Sequence, residues 1–183
     1  MQVSQLLKDT EFDHSRKVSQ ISGLMAQKAG YSQDESRIIA ECALFHDVGK
    51  CAVPAQILSK PATLTPDEYE IVKTHAAIGY KRLCEAAQIL GLAAKVAIDH
   101  HEHVDGCGYP HGITSNEMHK YAKIVACADV MDALYSRRAY KEPWNIPQIR
   151  DYFTARAGKQ FDPAMVKILF CIMDDVLKLY ETK

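Results

Sequence analysis

Both the fold and the candidate site of this chain are decided by residues 41–50, which read Glu41-Cys42-Ala43-Leu44-Phe45-His46-Asp47-Val48-Gly49-Lys50. Apolar residues at helical spacing precede Gly49, a residue type that can cap a helix, so the stretch is predicted to end a helix. On a helical wheel His46 and Asp47 fall on the apolar side, where a carboxylate costs several kcal/mol unless a cation or hydrogen-bond donors compensate it. A metal ion would satisfy both side chains at once. A His-Asp hydrogen bond in a core is the alternative interpretation for an isolated pair.

The composition of the 183 residues is that of an ordinary globular domain, with 48% hydrophobic residues. The formal net charge of −1 argues against a broad basic face for long nucleic acids. The six cysteines form no C-x-x-C pair and no signal peptide is recognised, which predicts a reducing, cytoplasmic location. No apolar run reaches the roughly 18–20 residues that cross a membrane. We therefore expect a cytoplasmic protein that binds neither long nucleic acid nor membrane.

Helical spacing of apolar residues recurs along the whole chain, and no strand-length alternation is seen. A capping box at Ser32 and Glu35 and the dipeptide Thr65-Pro66 are the clearest helix starts. The predicted helices cover residues 4–28, 32–47, 65 onwards, 91–103, 117–136, 146–157 and 162–180. Residues 51–64 read as a connection and residues 105–112 as a glycine-rich loop. These features predict an all-α fold, a single-domain helical bundle that spans residues 1–183.

Five histidines and two aspartates are predicted to point inward from five separate helices: His14, His46, His75, His100 and His101, with Asp47 and Asp129. Helix bundles build metal sites from side chains that project into the core in this way, so we predict a buried metal cluster. Seven ligands are too many for one catalytic ion that keeps an open position, which favours two divalent ions bridged by a carboxylate. Imidazole and carboxylate suit iron, manganese or zinc, and the ligand types do not decide among these metals.

Further motifs accompany these residues in a fixed order. They are His46-Asp47-Val48-Gly49-Lys50, Ile57-Leu58-Ser59-Lys60-Pro61, His75-(x)3-Gly79, His100-His101-Glu102-(x)2-Asp105-Gly106-(x)-Gly108-Tyr109-Pro110, Ala128-Asp129-(x)2-Asp132 and Arg138-Ala139-Tyr140-Lys141. In order and spacing the chain resembles the HD-GYP family, a branch of the HD-domain phosphohydrolases, over about residues 10–170. The resemblance implies an HD-domain bundle that hydrolyses cyclic di-GMP, a bacterial second messenger, to linear pGpG, to GMP or to both.

The resemblance also implies roles for individual residues. His14, His46, Asp47 and Asp129 would hold one metal, and Asp47 would bridge to a second metal held by His75, His100 and His101. Lys50 matches the family's catalytic lysine, so Lys50 and the bridging Asp47 are the predicted catalytic residues. Tyr109, Arg138 and Lys141 match residues that contact substrate, and Gly108 and Pro110 belong to the loop that carries Tyr109.

The residue types fit that chemistry. A hydroxide bridging two ions is nucleophilic at neutral pH, and the ions together with Lys50 would offset the charge that develops on the phosphate. Arg138 can grip a phosphate through two hydrogen bonds or stack on guanine, and Lys141 acts as a point charge. Tyr109 either stacks on a base or packs the loop, whose glycines would let the backbone approach the ligand closely. Glu102 is expected to orient a ligand histidine.

Two other functions stay open at this point. The first is an HD phosphohydrolase that acts on another nucleotide, against which the Gly-Tyr-Pro loop argues. The second is a signalling platform whose loop docks diguanylate cyclase domains, and an N-terminal sensory or receiver domain is a further partner that the resemblance implies. A third metal is not expected. Relatives with three metals carry Glu four residues before the first histidine, where this chain has Thr10, and Glu11 lies about 100° around a helix from that position.

Overall fold

The computed structural model describes residues 12–86, 90–136 and 142–181 of the chain. Its helices are α1 (Phe12–Lys28), α2 (Gln33–Ala43), α3 (Ala55–Leu58), α4 (Pro66–Ala86), α5 (Gly91–Asp99), α6 (Lys120–Tyr135), α7 (Ile146–Arg156), α8 (Pro163–Cys171) and α9 (Met173–Glu181), with a 3₁₀ turn at Val48–Ala52. Extended pairing within the described residues is limited to two isolated bridges, Asp105 with Thr114 and Ala157 with Phe161. The prediction of an all-α fold is confirmed.

Side-chain caps begin the helices where the sequence signals them. Ser32 Oγ accepts a hydrogen bond from Glu35 N at 3.2 Å at the start of α2. Thr65 and Glu68 exchange two backbone-to-side-chain hydrogen bonds at the start of α4. Asp162 Oδ1 accepts a hydrogen bond from Ala164 N at the start of α8. Each cap satisfies N–H groups that a helix start leaves without partners, which stabilises the helix by typically ~1 kcal/mol. The helix starts predicted at Ser32, Thr65 and Asp162 are therefore confirmed.

Two helices end earlier than predicted, and both ends lie at the candidate site. Helix α2 ends at Ala43, so His46 and Asp47 lie in a turn beyond it, and α5 ends at Asp99, just before His100. After α2 the backbone bonds reach only three residues back, as in His46 N to Ala43 O at 3.3 Å, which tightens the chain. The helical wheel therefore does not extend through Asp47. Two smaller corrections concern α6, which begins at Lys120, and the last predicted helix, which is divided into α8 and α9.

Gly49 has a different role from the predicted helix cap. It lies in the 3₁₀ turn against α4, where a Cβ atom would fall 1.9 Å from His75 O and 2.6 Å from Gly79 N. No side chain can occupy that space, so glycine lets the turn pack directly on the backbone of α4. This contact brings Asp47, two residues before Gly49, next to α4, where Asp47 Oδ1 lies 3.2 Å from His75 Nε2.

Helix α1 is central to the bundle, because it packs against α2 and α6 and also contacts α8 and α9. Helix α4 packs against α5 and the 3₁₀ turn. One continuous apolar core joins these groups, with Ile21 of α1, Met131 of α6 and Leu83 of α4 fully buried in it. The candidate site lies among these packed elements. None of the described helices combines the length and apolar character that a membrane span requires.

Candidate metal centre

The structure brings all seven predicted ligand residues together in two adjoining groups. One group is Asp47, His75, His100 and His101, and the other is His14, His46 and Asp129; within each group the possible ligand atoms lie within 4.8 Å of one another. Three helices, α1, α4 and α6, carry His14, His75 and Asp129, whereas the other four residues follow the ends of α2 and α5. The prediction of a buried cluster is confirmed, although five separate helices do not supply it.

Asp47 stands between the two groups and faces each with a different oxygen. Its Oδ2 lies 3.1 Å from His46 Nε2 and 3.8 Å from His14 Nε2. Its Oδ1 lies 3.2 Å from His75 Nε2 and 3.7 Å from His100 Nε2. A carboxylate placed in this way can offer one oxygen to each of two neighbouring cations.

Three of the histidines are fixed by the chain that immediately precedes them. Nδ1 of His46, His75 and His100 lies 2.8, 2.6 and 3.0 Å from the carbonyl oxygen three residues earlier. A carbonyl only accepts hydrogen bonds, so Nδ1 carries a proton and Nε2 of each neutral ring presents a lone pair to the centre. Hydrogen bonds of this kind orient histidines that bind metals.

Four buried polar atoms at the centre of the cluster have no hydrogen-bond partner among the residues that the structure describes: Nε2 of His46, His75 and His100, and Oδ1 of Asp47. Leaving a buried polar atom unsatisfied costs about 1–3 kcal/mol, and native structures rarely leave four in one place. All four are donors of electron pairs suited to a divalent cation, because imidazole and carboxylate are common ligands of iron, manganese and zinc. The residues present therefore fit a metal site.

Burial and neighbouring charges together shift the pKa values of the histidines and of Asp47. Burial lowers the pKa of His14, but hydrogen bonds to Asp129 and Asp132 outweigh it and raise that pKa to about 10. Burial lowers the pKa of His100 and of His101, which keeps both rings neutral. Burial opposes ionisation of Asp47, but Lys50 and His46 lower its pKa well below the ordinary value. Because a divalent ion would compete with protons on His14, its binding should release protons and strengthen as pH rises.

Asp132 was not predicted as a site residue, yet it contacts a predicted ligand. Its side chain is 1% exposed, and its Oδ2 accepts a hydrogen bond from His14 Nδ1 at 2.7 Å. The signal in the sequence was its position three residues after Asp129 on one helix, within the motif already quoted. Asp132 thus supports His14 in the way that backbone carbonyls support His46, His75 and His100.

The predicted catalytic lysine borders the cluster. Lys50 lies in the 3₁₀ turn, and its Nζ donates to Asp47 Oδ2 at 2.5 Å. The Lys50 side chain is 21% exposed, whereas Asp47 is 5% exposed, so Lys50 is the more accessible of the two residues. A phosphate that approached the centre from solvent would meet this positive charge.

The Gly-Tyr-Pro loop packs on the cluster through Tyr109. The Tyr109 ring stacks on His101 with centroids 4.7 Å apart and planes 27° apart, and Tyr109 N donates to His101 O at 3.2 Å. One face of the Tyr109 ring is therefore used in packing against a predicted ligand. Pro110 follows it through a cis peptide bond and is exposed.

One expectation about this loop was wrong. Glu102 does not contact a ligand histidine: it is 1% exposed and accepts the backbone N–H groups of His111 at 2.7 Å and Ile113 at 3.2 Å. Gly108 is required by packing within the loop itself, because a Cβ there would lie 2.2 Å from His103 N and 2.5 Å from Glu102 Cα. Both residues fold the loop onto the chain that precedes it.

The remaining predicted residues lie outside the described residues. These are the substrate-contact candidates Arg138 and Lys141, and Thr10 and Glu11, on which the expectation about a third metal rests.

Comparison with known proteins identifies the family. The family model described as HD domain matches residues 2–165. RpfG, a cyclic di-GMP phosphodiesterase response regulator of Xanthomonas campestris pv. campestris, is 42% identical over 154 residues, covering 84% of this chain and 41% of that protein. A cyclic di-GMP phosphodiesterase of Thermotoga maritima is 37% identical over 168 residues, covering 91% and 46%. The 3'3'-cGAMP-specific phosphodiesterase 2 of Vibrio cholerae is 34% identical over 167 residues, covering 91% and 32%. The chain spans less than half the length of each of these relatives.

A solved structure supports the same fold. Bd1817, an HDG"Y"P protein from Bdellovibrio bacteriovorus, matches with a TM-score of 0.73 and 21% identity over 90% of this chain and 53% of that chain. At that identity the likeness shows the fold, and the predicted HD-domain bundle is confirmed. The relatives confirm the predicted resemblance to cyclic di-GMP phosphodiesterases of the HD-GYP type. The chain belongs to the HD-domain family.

Proposed function

We propose that this chain is a metal-dependent phosphodiesterase that hydrolyses cyclic di-GMP at the Asp47 cluster, and that residues 1–183 act as one catalytic domain. The observation that carries the proposal is the convergence of four buried, unpartnered ligand atoms on one centre. The substrate class comes from the relatives, two of which are named cyclic di-GMP phosphodiesterases. Linear pGpG, GMP or both would be the products.

The seven clustered residues would hold two divalent ions. His14, His46 and Asp129 with Asp47 Oδ2 would hold one ion, and His75, His100 and His101 with Asp47 Oδ1 the other. The two groups contain these histidines and Asp129, and Asp47 faces each group with a different oxygen. Iron or manganese suits this mixture of imidazole and carboxylate, with zinc as the alternative. Two ions bound there would lower the pKa of a bound water towards neutrality and offset negative charge on the phosphate.

The side chains around the cluster would bind and orient the phosphodiester. The Lys50 ammonium, which lies 2.5 Å from Asp47 Oδ2 on a partly exposed side chain, would donate a hydrogen bond to a phosphate oxygen and stabilise charge that grows during hydrolysis. Tyr109, which packs on His101, would form one wall of the site. We propose Arg138 and Lys141 as the phosphate and base contacts, on the resemblance alone.

A different cyclic dinucleotide is the second candidate substrate. The Vibrio cholerae relative that is 34% identical to this chain is named as specific for 3'3'-cGAMP, which differs from cyclic di-GMP in one base. The cluster and Lys50 would act on the phosphate, common to both compounds, so the bases must be distinguished by residues at the rim.

Purification without oxygen followed by metal analysis and product chromatography tests the proposal. The protein, reloaded with Fe(II) or with Mn(II), would be given cyclic di-GMP and 3'3'-cGAMP separately. Hydrolysis should require metal and should be lost in His75→Ala, which removes a cluster histidine. The matched control is His111→Ala, because His111 is an exposed histidine outside the cluster. Metal-loaded protein that cleaves neither compound would refute the proposal, and faster cleavage of 3'3'-cGAMP would favour the second candidate.

A further inference from the structure

Helix α9 lies beyond the part of the chain that the HD-domain model matches, which ends at residue 165, yet it reaches the candidate metal centre. Tyr180 of α9 donates its hydroxyl hydrogen to Asp132 Oδ1 at 2.7 Å. The other oxygen of Asp132 lies 2.7 Å from His14 Nδ1. A continuous chain of hydrogen bonds therefore runs from α9 to the ring of a proposed metal ligand.

Asp132 determines how His14 presents its nitrogen atoms. A carboxylate only accepts hydrogen bonds, so His14 Nδ1 must donate to it. The other nitrogen, Nε2, then faces Asp129 Oδ1 at 3.2 Å, inside the ligand group. His46, His75 and His100 are held by carbonyls three residues earlier in the chain, whereas His14 depends on a side chain from α6. Its orientation is only as well fixed as that of Asp132.

Asp132 is in turn fixed by two hydroxyl groups. Ser136 Oγ donates to Asp132 Oδ1 at 2.8 Å from the C-terminal end of the same helix, and Tyr180 reaches the same oxygen from α9. With His14 on the other oxygen, this carboxylate, 1% exposed, accepts three hydrogen bonds from side chains of the described residues. Hydrogen bonds to a charged group are stronger than those between neutral groups, so each donor contributes to the position of the carboxylate.

Tyr180 is itself held firmly beside α1. Its ring meets the Tyr135 ring edge to face at 4.7 Å, and Lys17 Nζ lies 4.6 Å from its centroid. Lys17, one helical turn after His14, also donates to the backbone carbonyl of Leu179. Burial and the Asp132 charge raise the pKa of Tyr180, so its hydroxyl stays protonated and can donate. These contacts anchor α9 at the end of α1 that carries His14.

We infer that Tyr180 is a positioning residue: acting through Asp132, it holds the His14 imidazole in the tautomer and orientation needed to bind a divalent cation. The inference rests on the proposed function, because that proposal makes His14 a ligand. Loss of the Tyr180 hydroxyl removes one of the three donors that the described residues offer Asp132 and weakens the hold of Asp132 on His14. Changes to hydrogen bonds of this kind typically lower metal affinity by about 10–100-fold.

The test is a calorimetric titration of Mn²⁺ into the metal-free full chain, carried out for wild type and for Tyr180→Phe. We expect one of two binding sites to weaken by about tenfold while the other changes by less than about twofold. The melting temperature of the metal-free variant should stay close to that of wild type, because phenylalanine keeps the ring packed on Tyr135. Tyr152→Phe is the matched control: its hydroxyl donates to Gln160 Oε1 at 3.4 Å, so its loss should leave Mn²⁺ binding unchanged.

Asp132→Asn should weaken the same site at least as much as Tyr180→Phe does. The inference is overturned if Tyr180→Phe binds Mn²⁺ as wild type does. It is also overturned if both sites weaken equally alongside a lower melting temperature, since that pattern marks a general loss of structure. Failure of the proposed function is distinguishable. Wild type that binds no Mn²⁺ would remove the metal centre and overturn both proposals, whereas metal-loaded wild type that cleaves neither dinucleotide would refute the proposed function alone. Two sites in wild type that persist unchanged in Tyr180→Phe would refute this inference alone.

Discussion

The substitution Gly49→Ala should damage both the fold and the metal centre, because the new methyl group has no space. The alanine Cβ would lie 1.9 Å from His75 O, 2.6 Å from Gly79 N and 2.8 Å from His75 C. Carbon and oxygen atoms that are not bonded need roughly 3.3 Å, so the 3₁₀ turn must move away from α4 by more than about 1 Å. All three neighbours are backbone atoms of a long helix, which cannot rotate out of the way as side chains can.

Overpacking a core costs typically 1–3 kcal/mol and occasionally more, and contact with rigid backbone places Gly49→Ala at about 3 kcal/mol or above. For a domain of this size each kcal/mol lowers the melting temperature by about 2–4 °C, so a fall of roughly 6–12 °C is expected. Movement of the turn also carries Asp47 away from His75; in the native structure Asp47 Oδ1 lies 3.2 Å from His75 Nε2. Metal affinity should fall along with stability.

Thermal and urea unfolding of the metal-free protein measure the loss of stability, and Mn²⁺ titration measures the loss of metal affinity. Gly91→Ala is the matched control, because a Cβ at Gly91, the first residue of α5, meets no atom within 4 Å. Alanine favours a helix over glycine, so that variant should be neutral or more stable by up to about 1 kcal/mol. The reasoning is refuted if Gly49→Ala melts within about 1 °C of wild type, or if both variants lose the same stability.

Three further predictions concern the chemistry. Lys50→Ala should lower kcat and kcat/KM together while retaining metal, because Lys50 borders the cluster but is not a proposed ligand. The control is Lys81→Ala, which replaces an exposed lysine of α4. A raised KM with normal kcat in Lys50→Ala would contradict the prediction. Arg138→Ala and Lys141→Ala should raise KM for cyclic di-GMP more than for bis(p-nitrophenyl) phosphate, and equal losses on both compounds would count against base recognition. Glu102→Gln replaces one accepting oxygen with a donor, so hydrogen exchange of the His111 or Ile113 amide should accelerate by about 10–100-fold, and unchanged exchange would show that these bonds do not hold the loop.

The clustering of the seven residues could be predicted because the residue types carry that information. Histidines and aspartates that continue apolar rows must be satisfied inside the protein, and five histidines with two aspartates have few common solutions besides metal. The helix starts were also predictable, since a cap such as Ser32 with Glu35 acts within four residues.

The errors concern contacts between residues distant in the chain. Gly49 was expected to cap a helix, but its requirement for glycine comes from His75 on α4, 26 positions later in the sequence. Glu102 was expected to contact a histidine, whereas the loop folds back and offers it two N–H groups. Asp132 and Tyr180 were missed as supporting residues because α6 and α9 meet only in the folded bundle. Residue type alone does not state which partner a buried polar group will find.

The helical wheel predicted that Asp47 points into the protein, and Asp47 is buried, but the predicted helix does not extend to it. The prediction assumed a helix through residue 47, whereas α2 ends at Ala43 and a tight turn aims the carboxylate at the cluster. Local hydrogen bonds that reach three residues back replace the helical ones there. Helix boundaries are poorly determined by sequence, because the last turn often tightens in this way.

Counting the metal ions bound to wild type and to Asp47→Ala tests the central claim most directly. The claim is that Asp47 bridges two divalent ions, since its two oxygens lie 3.1 Å from His46 Nε2 and 3.2 Å from His75 Nε2. Anaerobically purified wild type should contain two ions per chain, by elemental analysis and by anomalous scattering from crystals, with Asp47 between the two peaks. Folded Asp47→Ala should lose most of the metal, because both sites lose a ligand at once. One ion or three in wild type, or undiminished metal in folded Asp47→Ala, would contradict the account.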